Sequence, residues 1–170
     1  MELLEFELLT EPLRAELLGD EEDPWDAAGL PPMSWRPKER HVGLRDESGR
    51  LIATAGLLVV DVEVGDERFS VVGVGSVIVN AAHRGRGLSL RVITAALEIA
   101  ATLGPEIALL FCRTDRMGLY LRFGFEDVAS EVLVEQDRGQ IVMPMHTMWR
   151  ALRPGVAWPE GRVVVHSRPF

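Results

Sequence analysis

The sequence predicts a mixed α/β fold (α+β, mixed sheet): an antiparallel meander, then one βαβ crossover, then a C-terminal hairpin. Three observations carry this prediction. Residues 39–45, 51–64 and 68–80 are β-rich runs separated by the short turn sequences Asp46-Glu47-Ser48-Gly49 and Gly65-Asp66, the pattern of a meander. Residues 88–102 carry apolar side chains at Leu88, Val92, Ala96 and Ile99 and again at Leu90, Ile93, Leu97 and Ala100, which is helical spacing with a wide apolar face. Residues 107–112 are short and wholly apolar, which suits a buried strand parallel to the one before the helix. A dinucleotide-binding fold would instead repeat βαβ units from the start of the chain.

In chain order, residues 3–9 read as a first strand and 11–18 as a short helix, with Thr10 as N-cap and Pro12 in its first turn. The following stretch, 19–38, is rich in Pro, Gly and acid and contains Trp25 and Trp35, so it reads as a long loop. The three meander strands come next. Gly73 and Gly75 inside the last of them mark a bulge or a close backbone approach. Gly104-Pro105 ends the long helix. Beyond the apolar strand, 115–121 reads as a short helix capped by Thr114 or Asp115. Residues 125–134 and 140–149 read as two long strands, and 162–166 as a short one. The last residues, ending at Phe170, read as a frayed end, with docking of the Phe170 carboxylate near the site as the alternative.

The 170 residues suit one domain spanning 1–170 with a sizeable core. A net charge of −8 argues against nucleic acid as the main partner and leaves room for a cationic ligand. No apolar run reaches the roughly 20 residues that span a bilayer, and the first residues lack a basic leader, so no membrane association and a cytoplasmic location are expected. A single cysteine, Cys112, fits a reducing compartment. Basic charge is almost all arginine, with Lys38 the only lysine.

The chemistry centres on Asn80-Ala81-Ala82-His83-Arg84-Gly85-Arg86-Gly87-Leu88-Ser89, between a strand and a helix. The first N–H groups of a helix have no internal partner, and the helix dipole favours negative charge there. Gly85 and Gly87 lack Cβ atoms, so a phosphate can approach the backbone closely, and Arg84 and Arg86 add positive charge. A phosphate-bearing cofactor is therefore expected at this turn.

These residues resemble the acetyl-CoA signature of the GCN5-related N-acetyltransferases (GNAT), Arg/Gln-x-x-Gly-x-Gly/Ala after a bulged strand, with Ser89 where Gly or Ala is usual. Tyr120-Leu121-Arg122-Phe123-Gly124-Phe125 matches the family's Tyr-x-x-x-Gly-Phe, and the likeness covers roughly 40–135. The resemblance implies a GNAT-like fold and acetyl-CoA as co-substrate, with no metal. It implies that backbone groups of Val77, Ile78 and Val79 pair with the pantetheine arm like an added strand. It further implies that the N–H groups from Gly85 through Leu88 to Ser89 hold the pyrophosphate, that Asp115 faces the cofactor, and that Tyr120 is the general acid for the leaving thiolate. A small-molecule amine, expected to be cationic, is the implied acceptor, and a homodimer the implied assembly. Arg113 to Phe125 and Trp158-Pro159-Glu160-Gly161-Arg162-Val163 also look like aminoglycoside 2'-N-acetyltransferases and nodulation-type acyltransferases. The aminoglycoside enzymes place a glutamate on the bulged strand to serve an amine-activating water. Here Gly75 stands at that position, followed by Ser76, which leaves the base unassigned. The alternatives are an acyl-CoA-binding regulatory module that has lost its base, or a transferase for a longer acyl chain.

Other residues divide between function and packing. Cys112 lies in an apolar strand and suits a packed small hydrophobe rather than a nucleophile. His41, His83, His146 and His166 show no metal-ligand spacing. Asp20, Glu21, Glu22, Asp23 and Asp26 form either a solvated acidic loop or a lining for a cationic acceptor. Trp25 and Trp35 either stack on that acceptor or anchor the loop.

Overall fold

A computed structural model describes residues 1–22 and 29–170. Asp23, Trp25 and Asp26, proposed for the acceptor loop, lie outside the described residues. The elements are β1 (Glu2–Phe6), α1 (Glu11–Leu18), β2 (Arg40–Arg45), β3 (Leu51–Val64), β4 (Glu67–Val79), α2 (Leu88–Ala100), β5 (Ile107–Cys112), α3 (Met117–Leu121), β6 (Glu126–Asp127), β7 (Val132–Gln136), β8 (Gly139–Val142), β9 (His146–Ala151) and β10 (Val163–Val165). The mixed α/β prediction holds. β1 to β4 form an antiparallel meander, α2 crosses from β4 to a parallel β5, and β9 and β6 continue the sheet antiparallel to β5 and β9 respectively.

Alternation along β3 shows how the sheet serves two cores. Ala53, Ala55 and Leu57 face α2, whereas Leu58, Val60, Val62 and Val64 face the opposite core. That second core includes β7, β10 and Phe170. β5 is covered on both faces, with Ala108, Leu110 and Cys112 toward α2 and Ile107, Leu109 and Phe111 toward the other side. This is why its sequence is apolar without alternation.

Three expectations are corrected. The single strand expected over 125–134 is two strands with different partners: β6 pairs with β9, and β7 pairs with β8 and β10. The strand expected over 140–149 breaks at Pro144, which has no N–H to donate to a ladder, so β8 and β9 serve different parts of the sheet. The expected frayed end is buried instead. β10 lies antiparallel to β3 and parallel to β7, the Arg36 N–H donates to the Pro169 carbonyl at 2.7 Å, and the Phe170 ring packs at a tilt against Phe111 with centroids 4.9 Å apart. Neither Thr10 nor Thr114 caps a helix through its side chain.

One irregularity positions the site. Gly56 pairs with Gly75 and Thr54 with Ile78, so Ser76 and Val77 together face Ala55 alone. This is a β-bulge, and Ser76 takes φ +50°, a conformation uncommon for a non-glycine residue. Parallel pairing of β4 with β5 ends at Val74 and Leu110, although β4 runs on to Val79 and β5 to Cys112. A cleft opens where the two strands stop pairing.

Candidate active site

The anion turn forms as its sequence predicts. Asn80 is buried at the end of β4, donating from Nδ2 to the Leu17 carbonyl at 2.9 Å and accepting the Ala82 N–H at 3.0 Å. Gly85 and Gly87 take φ +76° and +74°, where side chains are strained. A Cβ added at either would meet nothing within 4 Å. Gly87 is the N-cap of α2 and supplies no side-chain cap to the first-turn N–H groups of the helix. Such a turn fits a pyrophosphate. Arg86 is exposed beside it. Arg84 is committed elsewhere: its Nε donates to the Val79 carbonyl at 3.2 Å, and one guanidinium nitrogen binds both Glu21 oxygens at 2.7 and 2.5 Å. It fastens the turn to the segment after α1 rather than standing free for an anion. Asp20 and Glu22 are exposed.

A cavity of about 480 Å³ lies in the cleft, lined among others by Trp35, Lys38, Gly75, Ser76, Val77, Tyr120 and Phe170. Tyr120 and the bulge, remote in sequence, thus share one space. Tyr120 is 9% exposed, and its ring meets Phe125 edge-to-face at 6.0 Å. Burial first, and the neighbouring Cys112 second, push its phenol above the usual range, so the hydroxyl keeps its proton at any physiological pH. Cys112 is itself pushed up to about 12, chiefly by burial and then by Asp127 and Asp115, and its thiol lies 3.6 Å from the Met148 sulfur. It is a packed thiol. Val77 and Val79 pack against the α2-side core and Ile78 against Leu17 and Leu51, so the three side chains anchor the backbone that follows the bulge.

Asp115 is not in this cleft. It lines an adjoining cavity of about 640 Å³, and its carboxylate pairs with Arg113 at 3.3 Å and Arg116 at 3.5 Å. Leu30, Arg113 and Met145 border both spaces. His146 also lines the second cavity, linking Asp127 through Nδ1 at 3.2 Å and Thr114 through Nε2 at 3.1 Å. The described residues contain no group of three His, Cys, Asp or Glu able to hold a metal, and no helix among them is long and apolar enough to cross a membrane.

The residue that sequence reasoning passed over is Lys38. It is 7% exposed, and its stem lies across the paired Gly56 and Gly75. A Cβ at Gly56 would stand 2.4 Å from Lys38 Cγ, and one at Gly75 would stand 2.7 Å from Lys38 Cε. Its Nζ sits 5.8 Å from the centre of the Phe170 ring. Burial lowers its pKa from 10.5 to about 8. Being the only lysine was the available signal, but nothing local in the sequence shows that two glycines on separate strands make a notch for it.

The same burial makes Lys38 costly to the fold. The unfolded chain binds the proton more tightly, so stability is lost below the unfolded value of 10.5 and the penalty is full below about 8. At about 1.4 kcal/mol for each pH unit separating the two values, Lys38→Met is expected to stabilise the protein at pH 7 by up to about 3 kcal/mol. The gain should shrink as pH rises from 8 toward 10.5. Urea melts of both proteins at pH 7 and pH 10 check it, and a variant no more stable than wild type at pH 7 refutes it.

Comparison with known proteins agrees with this geometry. The model of the acetyltransferase (GNAT) domain matches residues 31–128, more than half of the chain. No curated protein sequence matches significantly. Among solved structures, a GNAT family N-acetyltransferase (YhbS) from Escherichia coli in complex with CoA superposes with TM-score 0.59 at 19% identity, covering 98% of this chain and 91% of that one. An aminoglycoside 6'-N-acetyltransferase complexed with coenzyme A gives TM-score 0.58 at 14% identity, covering 92% and 100%. N-acetylglutamate synthase from Neisseria gonorrhoeae, complexed with coenzyme A and N-acetyl-glutamate, gives 0.57 at 14% identity, covering 90% of this chain and 36% of that one. At these identities the structures establish a shared fold. With the domain match, the bulged β4 and the glycine turn before α2, they show that the chain belongs to the GNAT acetyltransferase family.

Proposed function

We propose that the chain is a single acyltransferase domain, an acetyl-CoA-dependent N-acetyltransferase that moves the acetyl group directly to a primary amine of a small acceptor in a ternary complex. The observation that carries this reading is the cleft where β4 and β5 stop pairing, because it joins the bulge and Tyr120, while the glycine turn before α2 follows from the end of the same bulged strand. Backbone groups of Val77, Ile78 and Val79 take the pantetheine arm as an added strand. The N–H groups from Gly85 to Ser89, with Arg86 beside them, hold the pyrophosphate. Arg84 contributes by fixing the turn, and Asp115 by ordering Arg113 and Arg116 at the start of α3.

The amine nitrogen attacks the thioester carbonyl. A C–N bond forms, the C–S bond breaks, and Tyr120 delivers its hydroxyl proton to the departing sulfur. The amine's surplus proton leaves to water, and Tyr120 is reprotonated from solvent. No covalent enzyme intermediate is formed, which agrees with the high pKa of the Cys112 thiol. A small amine as partner, neither nucleic acid nor membrane, a cytoplasmic location and a homodimer complete the reading. The net charge of −8 and the single cysteine support parts of it.

Calorimetry with CoA and acetyl-CoA tests the cofactor end. Wild type should bind both. Gly87→Val forces a β-branched residue to φ +74° and fills the phosphate approach, so affinity should fall roughly tenfold or more. Absence of binding at millimolar ligand overturns the reading.

A further inference from the structure

The amine must lose a proton as its nitrogen is acylated, and the bulged strand carries Gly75 and Ser76 where a carboxylate could serve that step. A base lies in the adjoining space. The cavity of about 640 Å³ beside the cleft holds a line of three groups drawn from separate parts of the chain. Asp127 on β6 meets His146 Nδ1 at 3.2 Å, and His146 Nε2 meets the Thr114 hydroxyl at 3.1 Å. A carboxylate only accepts, so Nδ1 carries the hydrogen and donates to Asp127. That leaves the Nε2 lone pair to accept from Thr114. The ring is thus held as a base, and Asp127 balances the imidazolium that forms when it takes a proton.

The two spaces meet over the end of β5. Arg113, the first residue past that strand, borders both, as does Met145, directly before His146. His146 stands opposite Cys112 in the β5–β9 ladder, so the two side chains share a sheet face, about 5 Å apart at Cβ. Cys112 and Tyr120 belong to one packed cluster on that face. Thr147, also on the cavity wall, is 3% exposed, and its hydroxyl has no partner among the described residues, so a buried polar group is left there for a ligand to complete.

We propose that this cavity receives the acceptor and that His146 is the base for its amine, with Asp127 as the positioning residue. This rests on the transferase reading. As the C–N bond forms, the surplus proton passes from the nitrogen through the Thr114 hydroxyl to Nε2, and the half-buried imidazolium then releases it to water. The groups facing His146 are Cys112 on β5, whose thiol stays protonated, Asp127 on β6, and Arg113, Asp115 and Glu131 on the cavity wall, with Asp115 paired to Arg113 and Arg116.

The test follows thiol release from acetyl-CoA with spermidine, kanamycin, glycinamide and tryptamine, and takes the best of these probes for kcat against pH. In wild type kcat should fall on the acid side, within the range of about pH 5–8 in which an imidazole changes charge. His146→Gln keeps a donor for Asp127 but has no titrating nitrogen. Its kcat should drop roughly 10²-fold or more, the acid limb should vanish, and CoA affinity by calorimetry should be unmoved. Added imidazole should restore part of kcat in His146→Ala. Asp127→Asn changes an exposed strand of 2 residues, leaves β9 untouched and decides alone if the variants at 146 do not fold. It should lower kcat about tenfold and move the limb to lower pH, because the imidazolium loses its counter-charge. A His146→Gln enzyme that keeps its kcat and its acid limb, or an Asp127→Asn enzyme with an unmoved limb, overturns the assignment and leaves the transferase reading intact. If wild type binds acetyl-CoA and acetylates none of the probes, the transferase reading fails and the assignment fails with it.

Discussion

Tyr120→Phe should lower kcat by roughly 10²- to 10⁴-fold while leaving CoA affinity close to wild type, the range expected for loss of a positioned general acid. The substitution removes one oxygen from a ring otherwise held by packing. Tyr120 lies at 9% exposure in the α2-side core, edge-on to Phe125 and beside Cys112. Phenylalanine fills the same volume, so the melting temperature should barely move and the loss reports chemistry. The phenol's raised pKa gives a second signature. Because Tyr120 stays protonated through the physiological range, the wild-type kcat should show no alkaline fall attributable to this group up to about pH 10. In mutant kinetics, kcat and kcat/KM for acetyl-CoA should drop together, the mark of an interaction made in the transition state. An enzyme with Phe at 120 and an unchanged kcat across that pH range would remove the acid role and leave cofactor binding untouched.

Phe125→Ala should be the costliest single substitution for the fold near the site. Phe125 is 1% exposed, and its ring braces Tyr120. Truncation leaves a cavity that the surrounding β-sheet and α2 cannot collapse into, so the expected loss is about 3–5 kcal/mol. For a chain of this size that corresponds to a fall in Tm of roughly 6–20 °C. Activity should fall as well, at temperatures where the variant is still folded, because Tyr120 loses the edge contact that sets its ring. Urea denaturation with an unchanged m-value checks the first effect, and kcat measured well below the new Tm checks the second. A loss under 1 kcal/mol would show that the contact between the two rings carries little packing energy.

Much of the fold was legible because local rules agreed with the tertiary outcome. The turns at Gly49 and Gly65, the helical spacing over α2 and the unbroken apolar β5 each describe an element whose surroundings match its own pattern. The glycine turn was legible for the same reason: positive φ at Gly85 and Gly87 is a backbone property that the residue type announces. The motif around Tyr120 located a residue of the cleft wall, and the motif around Arg84 located the glycine turn before α2.

Legibility failed where strands choose distant partners. Nothing local near Val128 distinguishes one long strand from two short ones. The division comes from β9 claiming β6, and β10 claiming β7. The role of Arg84 also changed in three dimensions. Its charge is visible in the sequence, but the Glu21 carboxylate that occupies it is 63 residues away.

The sequence by itself determined the order of elements, the bulge-bearing β4, the anion turn and Tyr120, because hydrophobic periodicity and glycine conformation act over a few residues. Only the tertiary structure decided what faces the acceptor. Gly75 alone reads as a missing base. Paired with Gly56, crossed by the Lys38 stem and closed by the main chain of Phe170, it becomes a notch in the wall of the cleft. Four residues spread from position 38 to position 170 meet there, and their meeting depends on β-sheet register and burial, which no short stretch of the chain encodes.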